Sequence, residues 1–258
     1  MVEAILSACN NNPDYLIFIP NFINSFSHVF KHSRVIVVMI MKEEDLPSYL
    51  QEYKKHFIFF DPIENIDTRY IGQVIRILYP SLIESPSVVI QDIDAICLSK
   101  EWYECGYLQD EMSSKFITAR PMKAGIVDEN QIAITWNGAS SEIWSKVNKC
   151  KSVEDVRQTL IDNYPHDYGQ PSPPPLEWLM RGWFTDQELL FRLVMDSNIP
   201  HKVIGDAHLR RLDKLGMTLQ KAIDVDITKY TDYITCRRGQ ADWQEINNTI
   251  FEKLKKLK

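Results

Sequence analysis

The run Arg34-Val35-Ile36-Val37-Val38-Met39-Ile40 constrains the fold more than any other stretch of this chain. It is β-branched, apolar and unbroken by polar residues. A strand with one wet face alternates, whereas an uninterrupted run reads as a strand covered on both faces, the situation inside a parallel sheet. Its surroundings agree. Ala4–Cys9 reads as an earlier strand closed by Asn10-Asn11-Asn12-Pro13, and Tyr15, Phe18, Phe22, Phe26 and Phe30 then recur at helical spacing. Pro20 marks a kink or restart in that helix. Asp45 and Pro47 open a helix carrying Leu46, Tyr49, Leu50 and Tyr53, and Phe57–Phe60 reads as a third strand. A helix over 68–78 shows Ile71, Val74, Ile75 and Leu78 at helical spacing before Pro80 stops it. This alternation predicts an α/β fold with a mostly parallel sheet and helices on both faces.

The fourth strand carries the chemistry. Pro86-Ser87-Val88-Val89-Ile90-Gln91-Asp92-Ile93-Asp94-Ala95 reads as a short buried strand that ends in two aspartates spaced i and i+2. Ionised carboxylates beside a hydrophobic sheet are costly unless paired or bound to a cation. On extended backbone both would face one side and offer hard oxygen ligands to one divalent metal at the carboxyl end of the sheet. The bland alternative is that both cap a turn over 95–99.

The second half changes style. Lys115–Ala119 and Gln131–Trp136 read as strands forming a small mixed extension of the sheet. Helices follow at 140–147 and after Ser152, where Ser152 and Asp155 have capping-box spacing. The proline- and aromatic-rich stretch 164–176 reads as a stiff loop over a site. Thr185-Asp186-Gln187-Glu188 starts a helix with capping-box chemistry, and a last amphipathic helix begins near Asp242. Trp144 and Trp243 have core spacing.

Composition narrows the function. The 258 residues carry a net charge of −6, with no basic stripe to grip a nucleic-acid backbone. Five scattered cysteines without a CxxC pair suggest free thiols in a reducing compartment, not a zinc site or disulfide framework. The first residues lack the pattern of a signal peptide, and no apolar stretch approaches the roughly 20 residues of a membrane span. The expectation is a soluble, cytoplasmic protein. No glycine-rich phosphate loop occurs, which fits phosphate recognition through a metal.

Taken in order, Asn10 to Tyr15, Arg76 to Asp94 and Asp186-Gln187 resemble the GT-A-fold glycosyltransferases, including glycogenin-like members and the small glycosyltransferases of large algal DNA viruses. The resemblance covers most of residues 1–210; the later Lys-Pro-Trp pattern of glycogenin is absent. It implies one glycosyltransferase domain over 1–258, with nucleotide binding in 1–100 and acceptor binding in 101–258. It implies that Asp92 and Asp94 bind Mn²⁺ or Mg²⁺, Asp94 the more directly, with His208 as a further ligand and His201 as runner-up. Ala8, Asn10 and Tyr15 fall at base-binding positions, Gln73 and Arg76 beside the diphosphate, Gln187 near the donor sugar, and Arg120 at another possible contact. Asp186 would be a general base if the enzyme inverts, or would steady an oxocarbenium-like centre if it retains. An aspartate in a first helical turn is also favoured by the helix dipole alone.

The implied donor is a nucleoside-diphosphate sugar, UDP before GDP. The acceptor is a glycan or glycoprotein, with Trp136-Asn137-Gly138, His166-Asp167-Tyr168, Trp178 and Trp183 as stacking candidates. The non-catalytic alternative is a nucleotide- or glycan-binding protein of the same shape. A haloacid-dehalogenase reading fails because the aspartate pair comes late and Ala95-Ile96 follows it.

Overall fold

The apolar run over 35–40 does form a strand buried on both faces, opened by the exposed Arg34, and the rest of the molecule is arranged around it. A computed structural model describes residues 2–106, 109–118, 130–172, 180–204, 211–212, 216–236 and 242–257. In chain order, β1 (Ala4–Asn10) leads through α1 (Pro13–Leu16) and α2 (Ile19–Val29) to β2 (Arg34–Ile40) and β3 (Phe57–Phe60). Then come α3 (Thr68–Leu78), β4 (Val88–Ile90), β5 (Ala95–Cys97), α4 (Glu101–Gly106), α5 (Gln109–Met112), β6 (Phe116–Thr118) and β7 (Asn137–Ala139). The chain continues through α6 (Ser141–Asn148), α7 (Val153–Asp162), α8 (Thr185–Asp196), β8 (His201–Val203), β9 (Arg211–Leu212), α9 (Leu219–Asp224), β10 (Asp232–Ile234) and α10 (Trp243–Lys255).

The main sheet has the order β3-β2-β1-β4-β7-β6-β8, with β7 antiparallel to both neighbours and the other pairings parallel. A second sheet, β5-β10-β9, is mixed. Residue alternation along β1 splits the core: Ala4, Leu6 and Ala8 face α3 and its neighbours, while Ile5 and Cys9 face α2. A third cluster lies between the small sheet and α9 and α10. Strand order turns back between β1 and β4, so β2 and β3 extend one way and β7, β6 and β8 the other. Ligands of open α/β sheets bind at such a switch point, beyond the carboxyl ends of the strands.

Local chemistry explains most element boundaries. Asp67 caps α3 by accepting from the Arg69 N–H, and Ser152 with Asp155 closes a full capping box on α7. Pro20 lies in the first turn of α2, so the helix restarts there instead of kinking.

Four expectations need correction. The segment after Lys42 forms 3₁₀ turns over Glu43–Asp45 and Ser48–His56, with Leu46 and Leu50 buried and Tyr49 exposed. Pro47 removes a backbone donor between the turns, and two buried anchors, one on each side of it, give a continuous helix little to pack. Gln131–Trp136 is not a ladder strand. The N–H groups of Ile132 and Trp136 bond instead to the Gln187 and Ile90 carbonyls, and Trp136 adopts a positive φ of 64°. At α8 the N-cap is Phe184, without a side-chain cap. Finally, β4 ends at Ile90, so Asp92 and Asp94 sit in a turn where the Ala95 N–H donates to the Asp92 carbonyl. The segment 95–97 that follows is a strand of the second sheet, not a capped turn.

Candidate functional site

At the switch point lies a cavity of about 450 Å³. The end of β1 contributes Ala8 and Asn10, and α1 contributes Tyr15. Asn10 is fixed by its amide, which donates to Thr68 Oγ1 at 3.2 Å, and by the Asn12 N–H, which it accepts at 3.2 Å. One face of α3 supplies Arg69, Gly72, Gln73 and Arg76, spaced i, i+3, i+4 and i+7, while its other face is buried in the core. The turn after β4 adds Asp92 and Asp94, and the first turn of α8 adds Asp186 and Gln187.

Nine of the ten sequence candidates thus line one space, drawn from four separate segments. The tenth, His208, lies outside the described residues, as do Arg120 and Trp178. His201 stands on β8, paired in register with Phe116, and is not among the lining residues.

Arg76 is the centre of the charge arrangement. Its guanidinium donates to Asp92 Oδ1 and, at 2.8 Å, to Asp186 Oδ2. Burial opposes the charge on Arg76, but the two carboxylates outweigh it and hold the guanidinium protonated above its usual range. Asp186 is fully buried, and burial raises its carboxyl above the ordinary value; Arg76 and the Gln187 N–H work in the opposite direction. Asp186 is therefore placed by an ion pair as well as by the helix terminus, which goes beyond what the dipole alone would do. Asp94 is nearly buried yet lines the cavity, and its carbonyl accepts from the Thr235 N–H at 2.9 Å.

Among the described residues, no group of three or more histidine, cysteine, aspartate or glutamate side chains is placed to hold a metal. A hard divalent ion needs no such cage when a diphosphate shares it, because one or two carboxylates plus phosphate oxygens and water complete its shell. Asp94 fits that role. Asp92 fits with one of its two oxygens already engaged by Arg76.

The loop over α3 is tied down by polar contacts. Tyr168 donates to Gln73 Oε1 at 2.7 Å, Gln73 Nε2 donates to the Trp183 carbonyl at 3.5 Å, and the Arg69 guanidinium, held by Asp67 at the start of α3, lies 5.9 Å from the centre of the Tyr168 ring. Beyond it a second, more open hollow of about 290 Å³ is bordered by Pro165, Asp167, Ser172 and Glu188. Met180, Trp183 and Phe184 line both spaces, and Trp183 is partly exposed there. Trp136, by contrast, is fully buried with Asn137 and Gly138 in the sheet, and Tyr168 is nearly so; none of these offers a stacking face.

Sequence reasoning missed several lining residues. Gly72 and Arg69 were findable one and two turns back along the Arg76 face. Ala133, Ile134 and Thr135 line the cavity from the segment that follows the buried Ile132. Arg211, delivered by β9 from far along the chain, carried no local signal.

No protein-family model and no curated protein sequence matches this chain. Solved structures do. The chain is similar to the glycosyltransferase GlyE of Streptococcus pneumoniae TIGR4 at 14% identity and a TM-score of 0.50, over 98% of this chain and 63% of that one. It is similar to the galactosyltransferase LgtC, solved with donor and acceptor sugar analogues, at 10% identity and a TM-score of 0.51, over 97% of this chain and 94% of that one. This chain therefore spans less than two thirds of GlyE. The likeness shows an α/β fold of the GT-A type.

Proposed function

We propose that this chain is a glycosyltransferase that moves a sugar from a nucleoside-diphosphate sugar, a UDP-sugar by preference, to a hydroxyl of a glycan or glycoprotein. One observation carries the reading: Asp92, Asp94, Asp186 and Arg76 converge with the end of β1 on one cavity at the switch point of a GT-A-type sheet. GlyE and LgtC, the named similar structures, are glycosyltransferases, and LgtC was solved with donor and acceptor analogues. Kinship with glycogenin-like and algal-virus enzymes rests on the sequence elements alone.

In this reading residues 1–100 hold the nucleotide and 101–258 the acceptor. Ala8, Asn10 and Tyr15 border the base and ribose, and Gln73, Arg76 and Gln187 border the diphosphate and donor sugar. A divalent ion at Asp94 and Asp92, with His208 as a further ligand, would set positive charge against the departing diphosphate. Asp186, fixed through Oδ2 by Arg76 and through Oδ1 by the Gln187 N–H, keeps a defined orientation toward the donor sugar. It serves there as a general base, or as a carboxylate beside the sugar's electron-poor carbon. The acceptor enters through the second hollow, where Trp183 offers a ring to a sugar face.

Thermal unfolding with UDP-glucose and UDP-galactose, each with Mn²⁺ or with EDTA, tests this. A rise in Tm that requires the metal and disappears in Asp94→Ala is the expected result, together with slow release of UDP. Equal stabilisation in EDTA defeats the metal assignment, and a nucleotide sugar that binds without any release of UDP defeats the catalytic one.

A further inference from the structure

A fully buried carboxylate outside the cavity holds two of the cavity's walls. Asp232, on β10, is not among the lining residues and has no exposed surface. Trp136 Nε1 donates to its Oδ2 at 2.5 Å, and Tyr103 Oη lies 3.0 Å from Oδ2 and 3.2 Å from Oδ1. Gln91 Nε2 donates to the same Oδ2 at 3.5 Å and to Tyr103 Oη at 2.5 Å. Gln91 directly precedes Asp92. Trp136 directly follows Ala133, Ile134 and Thr135, which line the cavity. Two residues beyond β10's Tyr233, the Thr235 N–H bonds the Asp94 carbonyl, and Arg211 stands opposite Asp232 in register on β9.

We propose that Asp232 is a positioning residue for the donor site: as an ionised acceptor it holds the Asp92–Asp94 turn and the 133–135 wall in their binding geometry, and nucleotide affinity follows its charge. The proposal rests on the donor reading of the cavity and adds a regulation to it. A carboxylate is an acceptor only, which is what the Trp136 and Tyr103 donors require; a carboxylic acid brings a proton of its own to the same cluster. Gln91 supplies the second arrangement. Its Oε1 is buried without a hydrogen-bond partner among the described residues, while its Nε2 faces Asp232. An ionised Asp232 selects the Nε2 side of that amide, and a protonated one selects Oε1, so a proton on Asp232 reorients the residue next to Asp92.

Burial lifts the Asp232 carboxyl to about 6, with the bonds from Trp136, Tyr103, Cys97 and Gln91 opposing the rise. Among the described residues, the titratable groups in contact with it are Cys97 on β5 and Tyr103 on α4, and Arg211 is the charged residue paired with it in register on β9. The sign is distinctive. Because the folded value lies above the unfolded one, this group's contribution to folding stability grows as pH falls through 6 toward 4. Nucleotide affinity moves the other way over the same range. A group with only a structural role would move both together.

The test is UDP binding with Mn²⁺ by calorimetry from pH 5 to 8, for the wild type, Tyr103→Phe and Asp232→Asn, with hydrogen exchange of residues 88–97 and 131–139 at pH 7. The nucleotide's own ionisation is common to all three proteins, so displacement between them is what is read. Wild-type affinity should fall below pH 6. Tyr103→Phe removes a donor to the ionised form and should shift that fall to higher pH. Asp232→Asn should bind about tenfold more weakly at pH 7.5, as outer-shell losses commonly do, and should lose the acid limb. Its exchange should quicken in both segments and not in β2. An unmoved acid limb in both variants, or unchanged exchange in the two segments of Asp232→Asn, overturns the proposal. If the wild type binds no UDP at any pH, the donor reading fails, and the exchange comparison still decides whether Asp232 holds the two walls.

Discussion

Replacing Arg76 by methionine gives the sharpest quantitative test of the site. Methionine keeps most of the side chain's apolar volume and removes the charge, so the loss is electrostatic and not a cavity effect. The Arg76 side chain is 14% exposed and that of Asp186 3%, so the variant strands a carboxylate in a dry site. Removing one partner of a buried pair costs about 3–5 kcal/mol. The second pair adds little, because the Asp92 side chain is 35% exposed and water screens it. A loss of about 3 kcal/mol at pH 7.5 is therefore expected, which at roughly 2–4 °C per kcal/mol for a chain of this size lowers Tm by about 10 °C. Asp186 already titrates above the ordinary carboxyl range, and without Arg76 it rises further. A carboxyl whose folded value is raised penalises the fold when ionised and ceases to do so as it takes up its proton. The deficit of Arg76→Met must then shrink between pH 7.5 and pH 5. The double variant Arg76→Met/Asp186→Asn removes the stranded charge, retains an oxygen for the Gln187 N–H, and should recover more than half of the loss. Urea unfolding of the wild type, both single variants and the double variant at the two pH values measures this. A single-variant loss below about 1 kcal/mol, or a double variant no more stable than Arg76→Met, refutes the argument.

Three further outcomes are expected. Gly182 has a φ of +81°, and a Cβ there would run into the Tyr168 ring. Gly182→Ala should therefore cost about 3 kcal/mol by chemical denaturation and weaken nucleotide binding, because Tyr168 holds Gln73. Ser152→Ala removes the α7 cap and should cost about 1 kcal/mol in thermal unfolding while leaving nucleotide binding unchanged. Asp94→Asn should abolish Mn²⁺-dependent stabilisation by UDP in the same thermal assay, with its ligand-free Tm within a few degrees of wild type.

What could be read from the residues alone was local. The strand over 34–40, the helix over 68–78 and the capping box at Ser152 depend on periodicity and hydrogen bonds that close within a few residues. The candidate site was legible for a related reason: ligand residues sit where strands end and on the polar side of helices, and both places are marked in sequence. Local pattern misled where backbone partners lie far away. The alternating run Gln131–Trp136 has the residue faces of a strand, yet its N–H groups go to Gln187 and Ile90, so no ladder forms there. Trp136 looked available for stacking and is instead buried as a donor to Asp232, 96 residues on.

The sequence by itself determined the α/β alternation, the parallel core and nine of the residues around the cavity, because apolar periodicity, caps and strand ends are short-range properties. Tertiary structure alone decided which charges meet. Arg76 is separated from Asp92 by 16 residues and from Asp186 by 110, and Asp232 reaches Gln91 across 141. Such pairings are chosen by the free energy of burying charge, which favours whichever partner the sheet order brings within reach.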